Sequence, residues 1–336
     1  MFVPTDPVSL RFAARITIAA MAAYLLSVAV NLPEALWSVI TALIVVQTSV
    51  GGTIGVGLDR LIGTLAGAVI GGIAASAHAI WPVLPIGPLL LVAVAPLSLF
   101  AVKKPSYRVA PVTAALMLLL VHGVEAPLVI ALDRVLEIFI GCVVGIAVAI
   151  LVLPYRAEQQ LVDRVAAGLR LLAQLVTLQL GARSPAELAR IDALNGQMRS
   201  LLAGCEATMA DVRREHRMHL GRRDPEPLFR TLRRLRSDVA ILDRAMAQLG
   251  DTDAPPLLAA VATTLTHTLE AAAKALPRRA PPASLTPVDD AIAACFGAPV
   301  ADRLLSLSFA LEAVRRDCGD LMERVTERAT EDSEVA

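Results

Sequence analysis

Cysteine is sparse and unpaired in this 336-residue chain: Cys142, Cys205, Cys295 and Cys318 stand alone, with no C-x-x-C pair among them. That spacing supports neither a disulfide framework nor a zinc centre. The five histidines are scattered too. His216 and His219 share a helical face, but they stand among arginines, which repel a cation, so no metal is expected. Aromatic residues make up only 4% of the chain. The basic segments therefore lack the stacking platforms of a nucleic-acid surface, and nucleic acid is not an expected partner. No nucleophile–base pair or phosphate-cradling glycine loop stands out, so neither an enzyme nor a bound cofactor is expected.

Charge is missing in a second, more informative way. The formal net charge is +0 and the mean hydropathy +0.62, but the average conceals a division. Up to Tyr155 charged residues are few and separate long apolar runs; from Arg156 onward they recur every few positions, as on soluble helices. Two regions with different solvents follow, 1–155 in lipid and 156–336 in water. The apolar runs fall at 12–30, 36–50, 61–80, 84–102, 108–121 and 128–153. A helix needs about 20 apolar residues to cross a bilayer. Four runs meet this, whereas the second and fifth are short and run into glycine-bearing stretches, 51–57 and 122–127. The first run is too long for a usual signal core, and an uncleaved first helix is expected.

The connections on one side lack Lys and Arg altogether: 31–34, the turn at Trp81-Pro82, and 122–127. The other side collects Arg11, Arg15, Arg60, Lys103, Lys104, Arg108 and Arg156. The positive-inside rule then places both termini in the cytoplasm of an inner (plasma) membrane, with Trp37 and Trp81 at the outer interface.

The membrane region reads as one unit used twice. Asp59-Arg60 is followed by Gly67 and Gly71; Asp133-Arg134 is followed at the same spacing by Gly141 and Gly145. Val39-Ile40-Thr41-Ala42 in the second run matches Val112-Thr113-Ala114 in the fifth. Three spans per unit is an odd number, so the second copy is inserted upside down. The expected fold is all-α: a six-span bundle built as a 3+3 inverted repeat, with a C-terminal cytosolic helical domain. Such repeats place substrate sites near the midplane, where short or broken helices expose polar groups.

Candidate pathway residues follow from that plan. Arg60 is expected at the inner end of the third span, attracting anions, with Thr64 one turn further in. Thr41, Gln47 and Thr113 are uncharged polar groups on the short helices. Arg134 lies near the outer boundary, Glu137 one turn deeper, and Asp133 beside them. One base cannot neutralise both acids, and a carboxyl with a raised pKa could carry a coupled proton, so Asp133 and Glu137 are the candidate proton-coupling groups. A structural ion pair is the competing reading of the same residues.

Trp37-Ser38-Val39-Ile40-Thr41-Ala42-Leu43-Ile44-Val45-Val46-Gln47, followed by Arg60-Leu61-Ile62-Gly63-Thr64-Leu65-Ala66-Gly67, resembles the fusaric-acid-resistance family. That family belongs with the aromatic acid exporters and, more distantly, the plant malate channels. The W-x-x-x-T-x-x-x-x-x-Q and R-x-x-G-T-x-x-G stretches carry the resemblance, which covers the membrane half. Leu228-Phe229-Arg230-Thr231 and the run 232–236 are similar to bacterial members. The resemblance implies a membrane transporter exporting small organic, including aromatic, carboxylates. Larger members hold two membrane sets in one chain, so a single set implies a homodimer. An anion channel of the same architecture and a non-transporting scaffold with a partner-binding tail are the rival expectations.

The tail carries an apolar stripe at helical spacing, Leu161, Val165, Leu169, Leu172 and Val176. Ser184-Pro185 caps and starts a second helix. Further helices are expected over 225–249, 255–276 and 299–330, with 277–287 as a linker. Nine arginines crowd 213–236. They are open to three readings: a lipid-facing surface, an anion-collecting one, or a solvated face of ion pairs.

Overall fold

Every regular element that the computed structural model describes is helical, and the chain divides into two units, Met1–Ala157 and Glu158–Ala336. The described residues are 7–120, 127–181, 184–218, 224–249, 258–296 and 304–330. The glycine-bearing connection expected at 122–127 lies almost wholly outside them, as do His219, Arg222, Arg223 and the expected starts of two tail helices.

The first unit holds α1 (Pro7–Ala29), α2 (Ala35–Val45), α3 (Val50–Ile80), α4 (Ile86–Lys103), α5 (Ala110–Leu120) and α6 (Pro127–Leu151), with a 3-10 turn at Pro105–Tyr107 ahead of α5. Four of them, α1, α3, α4 and α6, are long and apolar enough to cross a membrane. Helices α2 and α5 have 11 residues each, about 16 Å of rise against a hydrocarbon core of ~30 Å.

The boundary between α2 and α3 differs from the sequence expectation. Residues 51–57 are not a loop closing the second run; they are the first two turns of α3. Glycine costs up to about 1 kcal/mol per residue in a helix. In lipid, however, each unpaired backbone group costs several kcal/mol, so a helix is the cheaper state. Local bonds fix the start: Ser49 Oγ accepts from the Gly52 amide at 3.0 Å, and Thr53 Oγ1 accepts from the Gln47 amide at 2.9 Å while donating to Ser49 O. Arg60 consequently lies ten residues inside a 31-residue helix, about 15 Å from its start. It is therefore not a loop marker of topology. Nor is Arg15, which is 1% exposed within the bundle and donates to Thr48 O.

Glycines set the closest helix approaches. On α3, a Cβ at Gly67 would come within 2.6 Å of Thr113 Cβ on α5. On α6, a Cβ at Gly141 would come within 2.6 Å of Thr41 Cβ on α2. Neither position has room for a methyl, so the backbones of α3 and α5, and of α6 and α2, lie nearly in contact. Gly71 repeats the approach against Ala114 and Met117, and Gly145 against Val45. Leu65, Val69, Ile73, Leu132 and Phe139, in contrast, are 48–66% exposed on the outer faces of α3 and α6, as expected where the solvent is hydrocarbon.

The second unit comprises α7 (Ala157–Gln179), α8 (Pro185–Arg217), α9 (Glu226–Leu249), α10 (Leu258–Arg278), α11 (Thr286–Cys295) and α12 (Leu305–Thr330). The predicted stripe of α7 is fully buried, from Leu161 to Val176. A capping box starts α8: Ser184 Oγ accepts from the Glu187 amide, and Glu187 accepts from the Ser184 amide. The expected linker is shorter than 277–287, because Thr286-Pro287 opens α11, in which Val288 is buried. The arginines of 213–236 that have described partners are mostly matched by acids: Arg213 with Glu226, Arg214 with Asp211, Arg234 with Asp317 and Asp320.

Candidate anion site in the helix bundle

Three of the sequence candidates meet at one cavity. Arg60 of α3, Thr113 of α5 and Arg134 of α6 line a space of about 140 Å³, together with Trp37, Arg108 and Met117. It has room for several waters and is smaller than the ~300–1,000 Å³ of most ligand pockets. Its walls carry three arginines and no acid.

The arginines differ in how they are satisfied. Arg134 is held on both sides: Nη1 donates to Glu137 Oε2 at 2.9 Å, and Nη2 donates to Glu34 Oε2 at 2.8 Å. Its guanidinium lies over the Trp37 ring, 4.8 Å from the centroid, a stacking that adds cation–π attraction. Trp37 Nε1 donates to the same Glu34 oxygen at 2.8 Å, and the Glu34 amide donates to Glu137 Oε1 at 3.0 Å. Glu137 is 1% exposed. The hydrogen bond from the Arg134 guanidinium holds the carboxyl of Glu34, in the connection before α2, below the usual carboxylate range.

Arg60 has no such acid. Its Nε donates to Thr41 Oγ1 at 3.2 Å, and among the described residues no carboxylate pairs with it. Its neighbour Asp59 accepts instead from Ser106 Oγ in the turn before α5. An arginine in the middle of a membrane helix costs about 2.5–3.5 kcal/mol on insertion scales. Here one hydroxyl offsets part of that cost, and the two further cations on the cavity wall add to it.

The remaining candidates sit elsewhere. Thr41 touches the site through Arg60, and Glu137 through Arg134. Thr113 also donates to Val109 O, just before its own helix. Thr64 is buried one turn beyond Arg60, with its hydroxyl unpartnered among the described residues. Gln47 is used at the α2–α3 break, where its side chain donates to Ile44 O. Asp133 forms no hydrogen bond or ion pair among the described residues. The acids that share Arg134 are Glu34 and Glu137.

Sequence reasoning missed three members of the site. Trp37 reads as an interfacial anchor, yet W-x-x-x-T spacing already puts it on the Thr41 face of α2. Arg108 reads only as an inside charge. Glu34 had one signal, as the lone acid of the 31–34 connection, but its pairing crosses 100 residues of sequence. Among the described residues no group of three or more His, Cys, Asp or Glu could hold a metal.

The chain has no match among the curated proteins. The model of the Fusaric acid resistance protein family matches residues 9–335. The likeness thus extends through the helical tail, beyond the membrane half where the motifs lie. With its apolar helices, the chain is an integral membrane protein, and it belongs to the fusaric acid resistance protein family.

Proposed function

We propose that this protein is a carrier that exports small organic carboxylates, aromatic ones included, across the inner membrane, with both termini cytoplasmic. The observation that carries the reading is Arg60: a cation within a long apolar helix, matched by no acid among the described residues, on the wall of a cavity that also presents Arg108 and Arg134. Such a site is electrostatically incomplete until an anion enters, and a carboxylate meets the planar guanidinium forks in bidentate fashion. Trp37 and Met117 supply an apolar wall for a ring. The substrate class comes from the family.

Two helical triplets, α1–α3 and α4–α6, act as inverted repeats in this reading. The matched approaches Gly67–Thr113 and Gly141–Thr41 support it, since each triplet's third helix packs on the other's second. The cavity lies where the short helices α2 and α5 meet these long ones, the expected place for a site exposed alternately to the two sides. Proton coupling falls to Glu137, a buried carboxyl sharing one base with Glu34; Asp133 has no part in that network. Two copies form the working unit in this reading.

The test is protein-dependent efflux of a panel of carboxylates from liposomes, with and without a pH gradient. Saturable efflux that follows the gradient, and loses that dependence in Glu137→Gln, is the expected result. Ohmic single-channel currents would replace the carrier by a channel. Absence of flux for every carboxylate would leave a membrane scaffold.

A further inference from the structure

We propose that Glu34 is a tethered stand-in for the substrate: its carboxylate occupies the outer carboxylate-binding position on Arg134 and Trp37, and the transported anion must displace it. The inference rests on the anion-carrier reading and adds the residue that sets affinity and closes the outer end.

The two acids on Arg134 are unlike. Glu137 belongs to α6, is 1% exposed, and is held by Arg134 Nη1 and by the Glu34 amide. Glu34 precedes α2 in the connection between α1 and α2, and its side chain is 51% exposed. One Glu34 oxygen takes two charge-complementary donors, Arg134 Nη2 and Trp37 Nε1, each at 2.8 Å. Those donors belong to cavity-lining residues. A guanidinium N–H and an indole N–H converging on one oxygen form a ready-made carboxylate receptor, and it is already filled from within the chain.

Exchange conserves charge. When an external carboxylate takes the Arg134 and Trp37 donors, the Glu34 carboxylate leaves to water, where half of its side chain already lies. The buried Arg134–Glu137 pair keeps its contact, so no unpaired charge is created in the bundle. The departing residue carries its own amide away from Glu137 Oε1, which frees the connection capping this end. The small cavity, lined by the Arg134 and Trp37 that Glu34 holds, then has a way to enlarge.

The experiment uses full-length protein in which Trp81, the other of the two tryptophans, is changed to Phe. Quenching of Trp37 fluorescence reports binding of benzoate. Glu34→Gln is expected to bind benzoate about three- to fivefold more tightly than the Glu34 protein, because the competing contact loses its charge. Glu34→Asp keeps the charge but is one methylene too short to reach both donors, and it is expected to bind more tightly as well. If Glu34→Asp matches Glu34 while Glu34→Gln binds tighter, a general field effect replaces the tether and the proposal is overturned. Saturable benzoate binding that neither variant strengthens overturns it too, while leaving the carrier intact. No benzoate binding by any of the three, together with no carboxylate flux, removes the carrier reading itself. Thermal unfolding of each variant establishes that it is folded.

Discussion

Removing Arg134 should expose the difference between its two acids. In Arg134→Met the Glu34 carboxylate, already half in water, loses a contact worth no more than about 1 kcal/mol. Glu137, 1% exposed, is left charged in the bundle with only the Glu34 amide as donor. Breaking a buried pair by deleting one partner costs about 3–5 kcal/mol. For a unit of this size that corresponds to a fall in Tm of roughly 10 °C. Glu137→Gln in the same background removes the stranded charge, so the double variant should recover more than half of the loss, a coupling of about 2 kcal/mol or more. Glu34→Gln should recover little. The assay is thermal unfolding of purified protein in one detergent, followed by intrinsic fluorescence. The reasoning is refuted if Arg134→Met unfolds with the wild type, if the double variant is no more stable than Arg134→Met, or if Glu34→Gln rescues as well as Glu137→Gln.

Other outcomes follow from the same geometry. Gly67→Ala and Gly141→Ala should each destabilise by about 1–3 kcal/mol through forced separation of helices, whereas Gly72→Ala, inside α3 with nothing within 4 Å of its Cβ, should raise the Tm slightly through alanine's better helix propensity. In the tail, burial and then Asp317 push the Asp238 carboxyl up from its ordinary value. A raised carboxyl pKa means that folding favours the protonated form, so this group's contribution is present at low pH and lost as pH rises through its folded value. Asp238→Asn should therefore raise the Tm at neutral pH and flatten its pH dependence; a lower Tm at pH 7–8 would contradict this. Thr41→Val removes the only described acceptor on Arg60 and should change the apparent KM for a carboxylate several-fold with the fold intact, as measured by initial rates of efflux.

Much of this was legible in the chain because lipid makes simple demands. Long apolar runs between sparse charges announce α1, α3, α4 and α6, and the spacing of Gly67, Gly71, Gly141 and Gly145 marks where helices come close. The i,i+3 placement of Arg134 and Glu137 on one helix predicts their pairing. The start of α3 was illegible because residues 51–57 carry the composition of a loop, and only the cost of unpaired backbone in hydrocarbon makes them helical. Trp37 was misread because an indole at an interface and an indole beneath a guanidinium look alike in sequence. The pairing of Glu34 was illegible because nothing local couples position 34 to position 134. In the tail, α11 hides in a Pro- and Ala-rich stretch whose single buried anchor is Val288.

The account depends on an anion completing the charge of Arg60, and one measurement addresses it directly: initial rates of benzoate efflux from liposomes holding wild-type protein or Arg60→Met, with the folded fraction of each fixed by thermal unfolding. Flux above that of empty liposomes in the wild type, reduced at least tenfold in a folded Arg60→Met, is the predicted result. Equal flux in the two proteins would show that anions cross without that guanidinium.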